Sequence, residues 1–369
     1  MFGKVIDRVF KKTWTDAEVQ RYVGDYQNSY LTYALDESIR IKSASGGATS
    51  AILIHGLESG LFDGAVVCNT RVKEGKVRAY FTIATTKEMV LAARGSKYVE
   101  TKFLHEVLPL IRAFSGRVSV VGLPCDLSAL KRRCEKEPQL SSKIVLSIAL
   151  VCGHNSRTTL IDEITSRLER EAKKKLVDYR FRVGHWRGQL EAEFEDGSVL
   201  SKPTKFFNDY QNLFFFSERK CMVCHDHYGY NADISVGDVW LFGLKNNPIK
   251  HTGVIVRSHR GQKAWESAVT ANAVHSSEMD IRSIMDGQSR IGPSHYNDTA
   301  RHKAGKMLGF KIKDTVAQPV SWHSYLNALI TLANLRLSEK PWGQSLIFST
   351  PRPLLKFYLY IKKALESLK

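Results

Sequence analysis

The chain has 369 residues, 43% of them hydrophobic and 25% charged, which is the balance of a globular protein with a sizeable core. It has no run of about 18 apolar residues, which excludes a membrane-spanning helix, and its six cysteines are too few for a disulfide scaffold. The formal net charge of +17 is typical either of a well-solvated surface or of one that attracts an acidic redox partner or an anionic membrane.

The first residues bear on the compartment of the protein. Residues 1–12 are basic but have neither the apolar stretch nor the cleavage site of a signal peptide. We therefore expect a cytoplasmic protein with reduced thiols. A nucleic-acid partner is not expected, because no helix-turn-helix, zinc-finger or RNP-like pattern accompanies the positive charge.

The first third of the chain alternates helices and strands. A helix is predicted to begin at Thr15 or Asp16, because both residue types suit an N-cap. The turn Ser45-Gly46-Gly47 precedes an apolar helix. After it we predict two strands, at residues 63–70 and 77–84. A helix at 87–93, a glycine-containing turn at 94–98 and a second helix at 99–115 are predicted to follow.

Two later strands with continuous apolar runs each end in a cysteine. Residues 118–122 lead into a turn with Cys125 at its tip, and residues 144–151 lead to Cys152. Apolar strands that alternate with helices predict a mostly parallel sheet. Ligands gather beyond the carboxyl ends of such strands, so Cys125 and Cys152 are expected to share one site.

The rest of the chain changes character twice. Residues 177–204 alternate like antiparallel strands, and the pair Cys221 and Cys224 then runs into a strand at 232–240. Residues 261–286 are predicted to be helical. From residue 301 the chain is basic and aromatic and ends in an amphipathic helix. We expect that helix either to pack on its own domain or to make peripheral contact with a partner or the inner membrane surface.

These elements predict an α/β fold with a mostly parallel central sheet flanked by helices, a small antiparallel β-subdomain and a basic helical C-terminal extension. Three regions are expected: an N-terminal α/β region at 1–115, a cysteine-bearing region at 116–280, and the extension at 281–369.

Cysteine spacing alone leaves the chemistry of the site open. The CxxC pair suits a zinc half-site, a redox dithiol or an iron-sulfur half-site. With Cys125 and Cys152 it offers four thiolates, a set that zinc and a 4Fe-4S cluster both accept. Buried cysteines can also be small apolar core residues. We expect this of Cys68, which lies in an apolar strand, whereas Cys134 is expected on a helix surface.

Several short motifs combine into a recognisable set. The motifs are Ser45-Gly46-Gly47, Asp63-Gly64, Gly95-Ser96-Lys97-Tyr98, Gly122-Leu-Pro-Cys125, Val151-Cys152, Arg180-Phe-Arg182 with Gly184 and Trp186, and Cys221-x-x-Cys224-x-Asp226 with the segment 232–240. Through these motifs the chain resembles the coenzyme F420 hydrogenase/dehydrogenase beta-subunit family over residues 20–275. Each motif is weak alone, whereas their order and spacing are specific. Some relatives carry closely spaced cysteines in an N-terminal ferredoxin-like module, but residues 1–60 here contain none.

The resemblance implies an iron-sulfur flavoprotein oxidoreductase. It would pass electrons between a two-electron carrier, F420 or NAD(P)H, and a 4Fe-4S cluster by way of FAD. The implied cluster ligands are Cys125, Cys152, Cys221 and Cys224. The implied partner is a redox protein, either ferredoxin-like or another electron-transfer subunit. No catalytic residue is predicted.

Two turns are expected to hold FAD. At Ser45, Gly46 and Gly47, glycines would let the backbone approach a phosphate at a helix N-terminus, although a plain capped turn would look the same. Gly95, Ser96, Lys97 and Tyr98 offer a hydroxyl, an ammonium and an aromatic face. Arg180, Arg182 and Trp186 are expected either at the edge of this site or as a packing pair.

Two other functions stay open from the sequence. One is a zinc-stabilised, non-catalytic binding or assembly protein that reuses the fold. The other is an accessory reductase in polysaccharide or cell-surface modification.

Overall fold

The structure is a computed structural model that describes residues 13–368. The segment 1–12, on which the expected absence of a signal peptide depends, lies outside the described residues. The strands are β1 Asn28–Ala34, β2 Gly64–Lys73, β3 Lys76–Ala84, β4 Val118–Gly122, β5 Ile144–Leu150, β6 Leu176–Val183, β7 Gln189–Phe194, β8 Val199–Pro203, β9 Ile234–Asp238, β10 Thr252–Val256 and β11 Val274–Glu278.

Helices separate most of these strands. They are α1 Asp16–Tyr22, α2 Glu37–Ile41, α3 Ala48–Glu58, α4 Lys87–Ala92, α5 Phe103–Ala113, α6 Pro124–Cys134, α7 Pro138–Lys143, α8 Thr158–Ala172, α9 Lys205–Asn212, α10 His259–Thr270, α11 Ile281–Gly287, α12 Ile291–Tyr296, α13 Asp298–Leu308, α14 Trp322–Ser338, α15 Pro341–Ser349 and α16 Arg352–Ser367. Within residues 13–368 no helix is long and apolar enough to cross a bilayer.

Eight strands form one central sheet in the order β11-β1-β10-β9-β5-β4-β2-β3. The four strands β9, β5, β4 and β2 at its centre are parallel to one another, whereas the pairs toward both edges are antiparallel. Strands β6, β7 and β8 form a separate antiparallel sheet. The predicted α/β class, with its small antiparallel sheet and helical extension, is confirmed. Strands from the predicted regions 1–115 and 116–280 share the central sheet.

Apolar side chains alternate across the sheet, which explains why helices cover both faces. On β2, Ala65 and Val67 pack in one cluster with Ile52 of α3 and Trp265 of α10, whereas Val66 packs in another with Val107 of α5. Successive residues of a strand point to opposite faces, so the two clusters lie on opposite sides of the sheet.

Two strands of the central sheet, β11 at its edge and β1 beside it, account for the main differences from the predicted elements. Residues 261–286 are not helical throughout, because β11 interrupts them and pairs with β1 in an antiparallel register. Only Val274 of β11 is buried. A short, mostly polar edge strand has no apolar alternation, so its sequence pattern does not distinguish it from helix or loop. Strand β1, which lies between β11 and β10, was not predicted either, because its buried residues are Ser29, Thr32 and Ala34 and do not form an apolar alternation.

Candidate functional site

A cavity of about 320 Å³ opens at the carboxyl ends of the parallel strands. Its walls come from the residues that follow β4 and β5, the end of β9, the N-terminus of α3 and the turn after α4. The strand-end rule predicts this position for a ligand site. The volume falls within the range of about 300–1,000 Å³ that is typical of small-molecule sites.

The N-terminus of α3 faces the cavity without a side-chain cap. Gly47 is the N-cap residue, with φ of 82°, and no side chain accepts a hydrogen bond from the first turn. Ala48, Thr49 and Ser50 form that turn and line the cavity. The free N–H groups and the positive end of the helix dipole make this wall favourable for an anionic group.

The three residues of the predicted turn Ser45-Gly46-Gly47 have different positions relative to the cavity. Ser45 and Gly47 line the cavity, but Gly46 is not among the lining residues. A Cβ at Gly46 would lie only 2.8 Å from the Thr32 carbonyl oxygen and 2.9 Å from that of Lys250. Gly46 therefore permits close packing of the turn against β1 and the residues before β10, and a phosphate contact is not needed to explain it.

The second predicted turn also lines the cavity. Gly95, Ser96, Lys97 and Tyr98 are all lining residues. The Lys97 ammonium is buried and donates to the carbonyl oxygens of Arg94 at 3.0 Å and Gly95 at 3.1 Å. Burial lowers the pKa of Lys97 to about 8. The ammonium binds carbonyl oxygens just beyond the end of α4, so it stabilises this turn of the cavity wall.

Tyr98 is held by distant aromatic residues. Its ring stacks on Phe207 at 6.1 Å and meets Phe181 edge-on at 5.9 Å. These contacts come from the antiparallel sheet and α9, which lie more than 80 residues away in the chain. The turn is thus fixed against the β-subdomain.

Four cysteines converge beside this cavity. Cys125 lies in the first turn of α6, not in an open turn, and Cys152 follows the end of β5. Cys221 lies in the 3-10 helix Arg219–Met222, and Cys224 follows it. Electrostatic interactions link Cys125 to Cys152, Cys221 and Cys224, so the four thiols lie near one another.

Three of the four thiols have a raised pKa, and burial contributes to each rise. It is the main cause that raises the pKa of Cys221 to about 12, and it also raises the pKa of Cys152 well above the usual value. The contact with Cys224 and burial together raise the pKa of Cys125. In residues 13–368 no three His, Cys, Asp or Glu side chains are arranged to hold a metal ion. The four thiols are close enough to interact without forming a compact single-ion site.

Backbone contacts connect the cysteines to the cavity. Cys152 lines the cavity, and the N–H group of Asn155, another lining residue, donates to the Cys221 sulfur at 3.3 Å. His227 donates from Nδ1 to the Cys152 carbonyl oxygen at 2.9 Å. His225 contacts Thr315 instead of a sulfur. Both histidines flank the CxxC loop, but these hydrogen bonds go to other groups and not to a cysteine sulfur.

The C-terminal extension holds the CxxC loop. Arg301 of α13 is fully buried and donates to four backbone carbonyl oxygens, at 2.8–3.0 Å, which belong to Met222, Cys224, Ser294 and His295. Met222 and Cys221 also pack against Ala300 and Leu332 of the extension. The extension is therefore part of the support of the cysteine loop. No local pattern around Arg301 indicates this contact.

A buried ion pair forms the far wall of the cavity. Arg182 of β6 binds Asp238 of β9 with two hydrogen bonds, at 2.6 and 3.1 Å, and Asp238 lines the cavity. The guanidinium also lies 4.7 Å from the centre of the Trp240 ring. Burial alone would lower the pKa of Arg182, but the Asp238 carboxylate outweighs burial and raises it. The pair joins the antiparallel sheet to the central sheet.

The other two cysteines have different surroundings. Cys68 on β2 lines the cavity as well as packing in the core, and burial raises the pKa of its thiol to about 11. Cys134 is the last residue of α6 and is only partly buried. Among the described cysteines none forms a disulfide.

Comparison with known proteins agrees with this geometry. Residues 29–108 match the N-terminal part, and residues 115–281 the C-terminal part, of the family described as "Coenzyme F420 hydrogenase/dehydrogenase, beta subunit". The chain is 26% identical over 253 residues to the coenzyme F420 hydrogenase subunit beta of Methanosarcina barkeri, covering 67% of this chain and 80% of that protein. It is also 26% identical over 265 residues to that subunit of Methanococcus voltae, covering 70% and 86%.

A solved structure has the same fold. A chain of the F420-reducing NiFe hydrogenase complex from Methanosarcina barkeri superposes with a TM-score of 0.60 and 21% sequence identity, covering 80% of this chain and 98% of that one. The family matches end at residue 281, so most of the extension lies beyond them. Across both matched parts, from residue 29 to 281, the chain belongs to the coenzyme F420 hydrogenase/dehydrogenase beta-subunit family.

Proposed function

We propose that the protein is an iron-sulfur flavoprotein oxidoreductase subunit that passes electrons between a two-electron carrier and a 4Fe-4S cluster. The observation that carries this proposal is the position of Cys152, which lines the cavity and also interacts with the other cysteines. A carrier site and a cluster site that share a residue are close enough for electrons to pass between them. The matched relatives are named as subunits of coenzyme F420 hydrogenase, which supports a redox role.

The four thiols fit an iron-sulfur cluster. Cys125, Cys152, Cys221 and Cys224 would be its ligands, and sulfur is the donor that such clusters require. A cubane has four iron atoms between its ligands, so its thiolates are spaced more widely than around a single zinc ion. The described thiols lie near one another, as the ligands of one cluster must.

The cavity fits a flavin. The uncapped first turn of α3 would bind the pyrophosphate through the N–H groups of Ala48, Thr49 and Ser50. The turn that contains Lys97 and the Arg182–Asp238 pair would hold the walls in position. When bound there, FAD would supply the exchange between two-electron and one-electron transfer. The two-electron carrier would be F420 or NAD(P)H, and a redox partner protein would exchange single electrons with the cluster.

Anaerobic titration with reduced F420, NADH and NADPH tests the proposed activity. A stoichiometric amount of one of these carriers should bleach the flavin absorbance, and the cluster should then be reduced. Because each is a hydride donor, the bleaching should precede the change in the cluster absorbance. A flavin that none of the three carriers reduces, in protein with full cluster content, would contradict this carrier assignment.

A carboxylate introduced by substitution in the first turn of α3 tests the position of the flavin separately. Thr49→Asp is expected to lower FAD affinity roughly tenfold or more, because the carboxylate would repel the pyrophosphate at short range. It should not destabilise the helix, since an acidic residue in the first turn interacts favourably with the dipole. Thr159→Asp is the matched control, because Thr159 is also half-buried and second in its helix but does not line the cavity. FAD affinity would be measured by fluorescence titration of flavin-free protein. Equal affinities for the two variants would move the pyrophosphate elsewhere.

A further inference from the structure

Helix α16, near the end of the chain, presents three different faces. Leu355, Leu359 and Leu365 are buried against the protein. A second apolar stripe faces outward: Leu354 is 61% exposed and Phe357 is 67% exposed, and the stripe continues through Ile361, Ala364 and Leu368. Its spacing of three and four residues keeps these side chains within an arc of about 80° on the helix. Ile361 and Leu368 are half-exposed, at 42% and 47%.

The third face of α16 is cationic. Lys356 is exposed, and the Lys363 ammonium lies 5.7 Å from the ring centre of Tyr360, which is itself 65% exposed. The one carboxylate on the helix, Glu366, is buried and paired with Lys362 and Arg290. Basic and aromatic residues therefore border the apolar stripe, and no acidic side chain on this helix faces outward.

The charge of the whole extension follows the same pattern. Residues 301–369 contain 12 Lys and Arg against three Asp and Glu, a net charge of +9. All three carboxylates are engaged: Glu339 pairs with Arg219, Asp314 accepts from Thr299, and Glu366 lies in its buried pair. Six lysines are exposed and form no ion pair with any described residue: Lys303, Lys306, Lys311, Lys313, Lys340 and Lys356.

We propose that α16 docks the protein on an anionic lipid bilayer, with the stripe from Leu354 to Leu368 in the headgroup boundary and Lys356 and Lys363 at the lipid phosphates. Amphipathic helices with this combination of apolar and cationic faces lie in the plane of the interface. Each lysine near an anionic surface adds about 1 kcal/mol, or roughly fivefold in affinity. Most of the extension lies beyond the family match, and the docking does not depend on the proposed redox function.

Protein occupants fit the stripe less well. The a/d-like spacing extends over only two heptads, and a coiled coil needs about three or more. A second copy of the chain would bring another net charge of +17 toward the same lysines, which opposes self-association. A lipid surface accommodates an exposed apolar helix face and anionic headgroups provide the opposite charge.

Vesicle flotation of the full-length protein tests the docking. Binding to phosphatidylcholine vesicles should require added phosphatidylglycerol and should weaken as salt is raised. Phe357→Ser should lower the partition coefficient roughly tenfold, and Lys356→Gln about fivefold. The matched controls are Phe242→Ser, at a Phe that is 49% exposed outside the extension, and Lys136→Gln at an exposed lysine of the family region. Both controls should bind as the unmodified protein does.

Three results would overturn the proposal. They are no binding to the anionic vesicles, binding that the Phe357 and Lys356 variants retain in full, and equal loss in the control variants. Light scattering of the same samples distinguishes a protein occupant: a dimer that Phe357→Ser dissociates would assign the stripe to a second copy of the chain. Thermal unfolding of each variant checks that the exposed substitutions leave the fold unchanged.

Discussion

Replacing Cys125 with Ser is expected to remove almost all cluster iron from protein purified without oxygen. Cys125 interacts electrostatically with Cys224, Cys152 and Cys221, so it is central to the proposed ligand set. A serine hydroxyl is a poor ligand for the soft iron-sulfur core. The iron content should fall from about four atoms per chain to a small fraction of one, and the broad visible absorbance should disappear.

A control for this substitution lies on the same helix. Cys134→Ser changes a thiol at the other end of α6, where the side chain is only partly buried. It should leave iron content and absorbance unchanged. Cys68→Ser should also keep the cluster, although it can alter flavin binding because Cys68 lines the cavity. A Cys125 variant that keeps a full cluster would remove the four-ligand proposal.

Replacing Arg301 with Met is expected to destabilise the protein by about 3–5 kcal/mol. The substitution leaves four buried carbonyl oxygens without their donor, and two of these belong to the CxxC loop, at Met222 and Cys224. Unpaired buried acceptors each retain a desolvation cost. The free energy of unfolding would be measured by urea denaturation of the cluster-free protein, which separates loop support from cluster loss.

The effect of Arg301→Met can be compared with that of the same substitution at a nearby exposed lysine. Lys303→Met changes an exposed cation on the same helix and should shift the free energy by no more than about 0.5 kcal/mol. In the cluster-loaded protein, Arg301→Met should also speed loss of iron to a chelator. If the stability and the chelation rate both matched those of the Lys303 variant, the extension would not support the loop.

Local patterns predicted much of the fold. The apolar runs of β4 and β5 and the glycine turn before α3 follow from strand and helix-start signals within a few residues. These signals also predicted that Cys125 and Cys152 would lie at one edge of the sheet. That inference needs only the rule that parallel strands end together. Strand β1 and the edge strand β11 lack such a signal, because pairing with distant strands defines them.

Long-range contacts explain what the sequence did not predict. Gly46 was expected at a phosphate, but its small size serves a close approach to Thr32 and Lys250. Asp238 is the last residue of β9, and its sequence position resembles that of an ordinary turn aspartate. The structure shows that it forms an ion pair with Arg182, 56 residues earlier. Likewise, Arg301 reaches the CxxC loop across 77 residues. Each of these roles depends on a partner that no local motif indicates.

Iron and flavin analysis of the anaerobically purified protein tests the central claim most directly. The proposal predicts a yellow-brown protein that contains about four iron atoms, as many acid-labile sulfides, and one FAD per chain. A colourless protein with one zinc and no flavin would contradict it and would support a zinc-stabilised binding protein built on the same fold.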